Sequence, residues 1–323
     1  MTHAIRIHRT GGPEVLSWDA IEVGRPGPGE ARVRHTAIGL NFIDTYHRSG
    51  LYPLPLPAVL GSEGAGIVTE VGPDVADVRP GDRVAYAGPV GAYAEERLVA
   101  AHRLVPLPPG LDERTAAAAM LKGMTARYLL RRTHRLEAGE MILLHSAAGG
   151  VGLIAAQWAK SLGATVIGTV STDAKARLAR EAGCDHVVVT SREDFVARVD
   201  EITGGAGVRV VYDSVGRDTF EGSLDCLAPL GLMVSYGNSS GPVPPISPLL
   251  LSQKGSLFLT RPTLMAYTAR REDLLETAKD LFSVLESGAV KVRIGATFPL
   301  HEAADAHRDL EARRTTGSTV LLP

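Results

Sequence analysis

His145-Ser-Ala-Ala-Gly-Gly-Val-Gly152 follows an apolar stretch, Met141-Ile-Leu-Leu144, and opens a helix-forming stretch at 151–162. Small residues in such a turn let the backbone approach a pyrophosphate, and the unpaired N–H groups of the helix start favour an anion. In the G-x-G-x-x-G frame the three positions are Ala147, Gly149 and Gly152. The first is alanine, so the motif alone is a weak match, and its force comes from the strand before it and the helix after it. An ordinary tight turn of an α/β protein is the alternative.

The surrounding sequence fits that frame. Apolar runs recur at 141–145, 165–170, 186–189, 208–212, 232–236 and 256–260, with helical segments between most of them. Apolar strands alternating with helices indicate a doubly wound parallel sheet covered on both faces. The first third differs. Short alternating runs at 31–38, 66–71 and 83–87 are separated by Gly and Pro, which predicts a β-rich region with loops at 25–30 and at the proline-rich 52–57. Asp112 can cap a helix through 115–119; residues 273–286 form an amphipathic helix, and 318–322 a strand. The pattern does not say which domain the last segment joins.

A chain of 323 residues suits two domains. Net charge is −2, with 22% charged and 45% hydrophobic residues, as in ordinary globular proteins. The arginines are scattered, which argues against a dedicated nucleic-acid surface. Cys184 and Cys226 are the only cysteines, too few for a disulfide framework or a cysteine zinc site, and they suit a reducing cytoplasm. The first residues lack the apolar core of a signal peptide. Apolar stretches elsewhere are broken before membrane-spanning length, so a soluble protein is expected.

Gly237-Asn-Ser-Ser-Gly241 matches a nucleophile elbow, but Pro242, Pro244 and Pro245 forbid the helix that elbow requires. The histidines lack metal-site spacing; His35, His47 and His145 read as local hydrogen-bonding residues rather than ligands.

The cofactor is chosen at the end of the second strand, where an acidic residue would hold the adenosine ribose of NAD. Here the strand runs into Ser171-Thr-Asp-Ala-Lys-Ala-Arg177. Hydroxyls and a cation suit a 2′-phosphate and favour NADPH, while Asp173 supports a competing NAD assignment.

Several blocks taken together resemble the zinc-free, zeta-crystallin-like quinone oxidoreductases of the medium-chain dehydrogenase/reductase superfamily. They are Asn41-Phe-Ile-Asp-Thr-Tyr-His-Arg-Ser-Gly-Leu-Tyr52, Gly61-Ser-Glu-Gly-Ala-Gly66, Ala147-Ala-Gly-Gly-Val-Gly152, Tyr212-Asp-Ser-Val-Gly-Arg217 and Gly237-Asn-Ser-Ser-Gly241. The resemblance covers essentially the whole chain and is closest to the bacterial NADPH:quinone reductases. It implies a GroES-like catalytic domain built from residues 1–122 and 263–323, a Rossmann domain at 123–262, and a cleft between them. It also implies a homodimer joined through Rossmann edge strands near 256–260. Zinc-dependent relatives place a Cys near Asn41 and a His where this chain has Ser62, so no metal is expected.

By the same resemblance, Asn41, Tyr46 and Tyr52 are catalytic, and Asn41, Asp44 and Tyr46 border the nicotinamide, with Asn41 and Tyr46 able to donate hydrogens to a reacting oxygen. Thr125 joins the cofactor site; Gly149, Gly150 and Val151 hold the pyrophosphate; Ser171 and Lys175 meet the 2′-phosphate; Asn238 and Arg313 close over the cofactor. One departure is Thr190, where the bacterial relatives carry a tyrosine near the adenosine phosphate. The implied activity is hydride transfer from NADPH to a small quinone. Enone or alkenal double-bond reduction is the alternative within enzymes, and an RNA-binding or structural crystallin-type role lies outside them.

Overall fold

In the computed structural model, which describes residues 2–323, both ends of the chain fold into the same unit. That first unit takes residues up to 124, 268–286 and 292–323, and the second takes 125–267 with 287–291. The crossings fall slightly C-terminal to the positions 122 and 262 expected from sequence, and helix Arg271–Glu286 belongs to the first unit.

The first unit is β-rich. Strand Glu30–Leu40 lies at its centre, antiparallel to Glu63–Val71, Glu96–Ala100 and Ser318–Leu322. Ala31 and Val33 are buried with the period of two, and after a register shift between His35 and Ala37 the same core takes Ile38 and Leu40, with Leu60, Val84, Tyr93 and Leu321. The last strand of the chain pairs Thr319 with Leu40, so the C-terminal residues brace the strand that delivers Asn41. Asn41 is the N-cap of helix Phe42–Ser49, its backbone N–H donating to the Asp44 carboxylate and its carbonyl accepting from the Asp44 N–H. The proline-rich 52–57 is irregular as expected, whereas helix Ala303–Glu311 was not foreseen.

The second unit carries six parallel strands in the order His186–Val189, Thr165–Val170, Met141–Leu144, Val208–Asp213, Leu227–Ser235, Phe258–Thr260. The chain starts in the middle, builds outward to one side, then returns to build the other. The topological switch point therefore lies between Met141–Leu144 and Val208–Asp213, where such sheets bind ligands at their carboxyl ends. Leu143, Ile167, Val188, Val211 and Met233 are buried, which explains the unalternated apolar runs. Strand Leu227–Ser235 starts earlier than expected; a register shift between Val208 and Val210 accommodates Pro229 and Leu230, the latter left-handed at φ 61°. Among the described residues no helix is long and apolar enough to cross a membrane.

Candidate active site

Each unit holds a buried polar cluster that includes residues expected from the sequence. In the first unit Asn41 is 5% exposed. Its side-chain nitrogen donates to Glu63 Oε2 at 2.9 Å and to the Gly39 carbonyl at 3.3 Å. Both partners accept only, so the placement of nitrogen and oxygen in the amide is forced. The expectation that Asn41 donates a hydrogen to a reacting oxygen is thereby corrected: both amide hydrogens are engaged inside the unit, and what Asn41 can offer is its oxygen.

Glu63 is fully buried and fully used. It accepts from Lys122 Nζ at 3.0 Å, from the Leu121 backbone N–H at 2.6 Å, and from Asn41. Gly39 makes room for it: a Cβ there would lie 2.3 Å from Glu63 Oε2 and 2.2 Å from the Ala117 carbonyl.

Asp44, also expected at the site, is completely buried. Its oxygens accept from Ser62 Oγ (2.9 Å), the Asn41 backbone N–H (2.9 Å) and Tyr93 Oη (3.0 Å). Burial pushes its carboxyl up to about 6, against the pull of those donors and of Lys122. Behind Tyr93 stands a chain that the sequence did not reveal. Tyr93 Oη lies 3.0 Å from His307 Nε2, and His307 Nδ1 lies 2.9 Å from Arg48 Nη1. Arginine can only donate, so His307 accepts at Nδ1, carries its proton on Nε2 and donates to Tyr93, which donates to Asp44. Burial, then the Arg48 charge, pushes His307 down to about 3, which keeps it neutral. Arg48 itself is anchored by Glu311 at 2.6 Å and the Gly11 carbonyl.

Tyr46 and Tyr52 meet edge-to-face with centroids 5.2 Å apart, and the Tyr52 N–H donates to the Tyr46 carbonyl. Tyr46 is buried at 9% exposure and Tyr52 is half-buried. Arg313, in the same unit, is exposed just past helix Ala303–Glu311 in a left-handed conformation at φ 58°.

In the second unit, Ser146 adopts φ 55° and turns the chain out of strand Met141–Leu144. Gly149 is the N-cap of helix Gly150–Ser161, and no side chain caps that end. Gly152 lets the helix sit on the turn, since a Cβ would lie 2.3 Å from the Ser146 carbonyl. The result is an uncapped helix start at Gly149, Gly150 and Val151, whose backbone N–H groups suit an anion.

His145 fastens this turn across the switch point. Its Nδ1 lies 2.9 Å from Thr169 Oγ1, its Nε2 lies 2.9 Å from Ser223 Oγ, and Ser223 donates to Asp213 at 3.1 Å. Asp213 also accepts from Thr219 Oγ1 and the N–H groups of Val215 and Gly216. His145 is therefore a buried local hydrogen-bonding residue, as expected, and burial lowers its pKa.

Ser171 follows strand Thr165–Val170 directly, and Thr172 caps helix Asp173–Glu181 by accepting from the Lys175 N–H at 3.3 Å. Ser171 and Lys175 thus both follow the carboxyl end of the same strand. Thr125 is buried in helix Glu113–Tyr128. Asn238 lies in loop 237–241, which is bonded to residues 214–217 through Ser239 N to Ser214 O and Ser240 N to Val215 O. The next helix begins only at Leu249, so no nucleophile elbow forms. Among the described residues no three His, Cys, Asp or Glu side chains gather as metal ligands would.

Comparison with known proteins places this geometry. Residues 27–109 match the family described as alcohol dehydrogenase GroES-like domain, and residues 150–283 that of zinc-binding dehydrogenase. A quinone oxidoreductase of Pseudomonas aeruginosa is 57% identical over the full length of both chains. A 2-haloacrylate reductase of a Burkholderia species is 50% identical, over 100% of this chain and 99% of its own. The crystal structure of Escherichia coli quinone oxidoreductase complexed with NADPH superposes with a TM-score of 0.98 at 51% identity, covering both chains completely.

Proposed function

The chain belongs to the quinone oxidoreductase family of the medium-chain dehydrogenase/reductase superfamily, and from that membership we propose that it is an NADPH:quinone oxidoreductase working without zinc. The observation that carries this is the uncapped helix start at Gly149–Val151, placed at the switch point of a parallel sheet. Bound there, NADPH supplies the hydride, and a quinone takes it with one proton to become a hydroquinone.

The chain's own residues position and shield. Gly149, Gly150 and Val151 receive the pyrophosphate, and Ser171 and Lys175 the 2′-phosphate, with Thr125, Asn238 and Arg313 completing the cofactor contacts. In the first unit the Asn41 oxygen would be the group available to accept from the nicotinamide, and Tyr46 and Tyr52 would meet the acceptor. Asp44 acts through Asn41, whose backbone it holds. A quinone is already electrophilic, so alignment of two rings is the main demand on the protein.

Reduction of an activated carbon–carbon double bond is the second reading, supported by the similarity to the haloacrylate reductase. Steady-state kinetics with NADPH against 1,4-benzoquinone, an enone and 2-chloroacrylate separate the two. The highest kcat/KM with the quinone supports the first reading, and the highest with either alkene supports the second.

We further propose a cytoplasmic homodimer. Strand Phe258–Thr260 pairs on one side only among the described residues, and its own Phe258 (60% exposed) and Leu259 (38%) supply apolar area there. Light scattering on wild type and Phe258→Lys tests it: a dimer that becomes a monomer supports the assignment.

A further inference from the structure

We propose that Arg192 sets the preference for NADPH over NADH, by neutralising Asp173 and turning its remaining guanidinium donors to the 2′-phosphate. This rests on the NADPH assignment above and adds a determinant that the sequence pattern did not suggest. Asp173 is the first residue of helix Asp173–Glu181, two positions beyond Ser171. An unpaired carboxylate there accepts a ribose hydroxyl and repels a phosphate, which favours NADH.

The carboxylate is not unpaired. Arg192 Nη1 donates to both of its oxygens, at 2.7 and 2.8 Å. The base of Arg192 is fixed by the turn that carries it. The Arg192 N–H donates to the Val189 carbonyl at 3.1 Å, Glu193 accepts from the Val189 N–H at 2.8 Å, and the Thr190 N–H donates to the Val170 carbonyl at 2.9 Å. That last bond ties the turn after strand His186–Val189 to the end of strand Thr165–Val170, from which Ser171 and Asp173 follow. Arg192 and Lys175 thus both follow the carboxyl ends of two neighbouring parallel strands.

Only one guanidinium nitrogen is committed to Asp173, so Nη2 and Nε can face a phosphate while the pair persists. The other acid nearby, Glu193, lies 3.8 Å from Arg192 Nε and is shared with Arg198 at 3.7 Å. Arg192 and Asp173 side chains are 56% and 73% exposed, so a ligand can reach both.

The test is calorimetric binding of 2′,5′-ADP and of 5′-ADP, which reads the phosphate end without turnover. Arg192→Ala should weaken 2′,5′-ADP about tenfold, or about 1.4 kcal/mol, and leave 5′-ADP within about twofold. Asp173→Ala should hold or tighten 2′,5′-ADP, and the double variant should bind it better than Arg192→Ala alone. A wild-type preference for 2′,5′-ADP that survives Arg192→Ala within about twofold overturns this proposal alone. A wild type with no such preference overturns the NADPH assignment and this proposal together.

Discussion

The side-chain nitrogen of Asn41 sits 2.9 Å from Glu63 Oε2, on the same oxygen that Lys122 Nζ reaches at 3.0 Å. This arrangement decides what Asn41 can do. A carboxylate held by a buried ammonium fixes the amide, so its oxygen becomes the presentable atom. The amide of Asn41 is thus locked by the Glu63–Lys122 ion pair.

Breaking that lock should be costly. Glu63→Gln leaves Lys122 buried without its counter-charge and should lower unfolding free energy by about 3–5 kcal/mol, whereas Asn41→Ala should cost about 1–2 kcal/mol. Urea denaturation of the two variants checks the order. Equal stabilities would mean that the pair does not organise the site.

Asn41 and Tyr46 should affect hydride transfer in different ways. Asn41→Ala loosens the cofactor and should slow the step about tenfold for quinone and enone alike. Tyr46→Phe removes a donor and should slow the enone more than the quinone, which needs less help. Stopped-flow oxidation of pre-bound NADPH measures both. Wild-type rates with both acceptors in both variants would remove these side chains from the mechanism.

Stability should fall on acidification through the histidine range. His307 is pushed to about 3 and His35 to about 4, both by burial, so between those values and 6.5 the unfolded chain binds protons that the folded chain refuses. That makes stability rise with pH. Asp44, raised to about 6, acts in the opposite sense: above 3.8 the folded state holds a proton that the unfolded chain has lost, so its contribution falls as pH rises to 6. Near pH 5 His35 and His307, joined by His47 and His145 whose imidazoles burial also lowers, outweigh the one raised carboxyl, so unfolding takes up protons. His307→Gln should flatten the slope of stability against pH there; an unchanged slope would contradict the neutral, buried His307.

The turn should tolerate no side chain at Gly152. The added Cβ of Gly152→Ala would fall 2.3 Å from the Ser146 carbonyl and must displace the loop. NADPH binding should weaken more than tenfold, a loss above about 1.4 kcal/mol, while acceptor competition is unaffected. Fluorescence titration reads it directly, and wild-type affinity would place the pyrophosphate elsewhere.

Much of the second unit was legible because its signals are local. Apolar runs, a glycine turn and a helix start are all written within short windows, and the parallel sense of the sheet follows from the alternation of strands with helices. The ends of Met141–Leu144 and Thr165–Val170 fell close to where the sequence put them. The first unit was harder. Its polar cluster joins Arg48 and Tyr93 to His307 across more than two hundred residues, and no spacing rule links such positions. Asn41 was found by resemblance, but whether it donates or accepts depends on Glu63 and Lys122, and no motif states that. Arg192 escaped for a similar reason: its partner is set by which two strands lie side by side.

The most direct measurement is the oxidation of NADPH and of NADH with 1,4-benzoquinone, before and after exhaustive chelation, with zinc counted per chain. The account predicts kcat/KM at least about tenfold higher with NADPH, unchanged by chelation, and no stoichiometric zinc. A preference for NADH, or one zinc per chain lost together with activity, would contradict it.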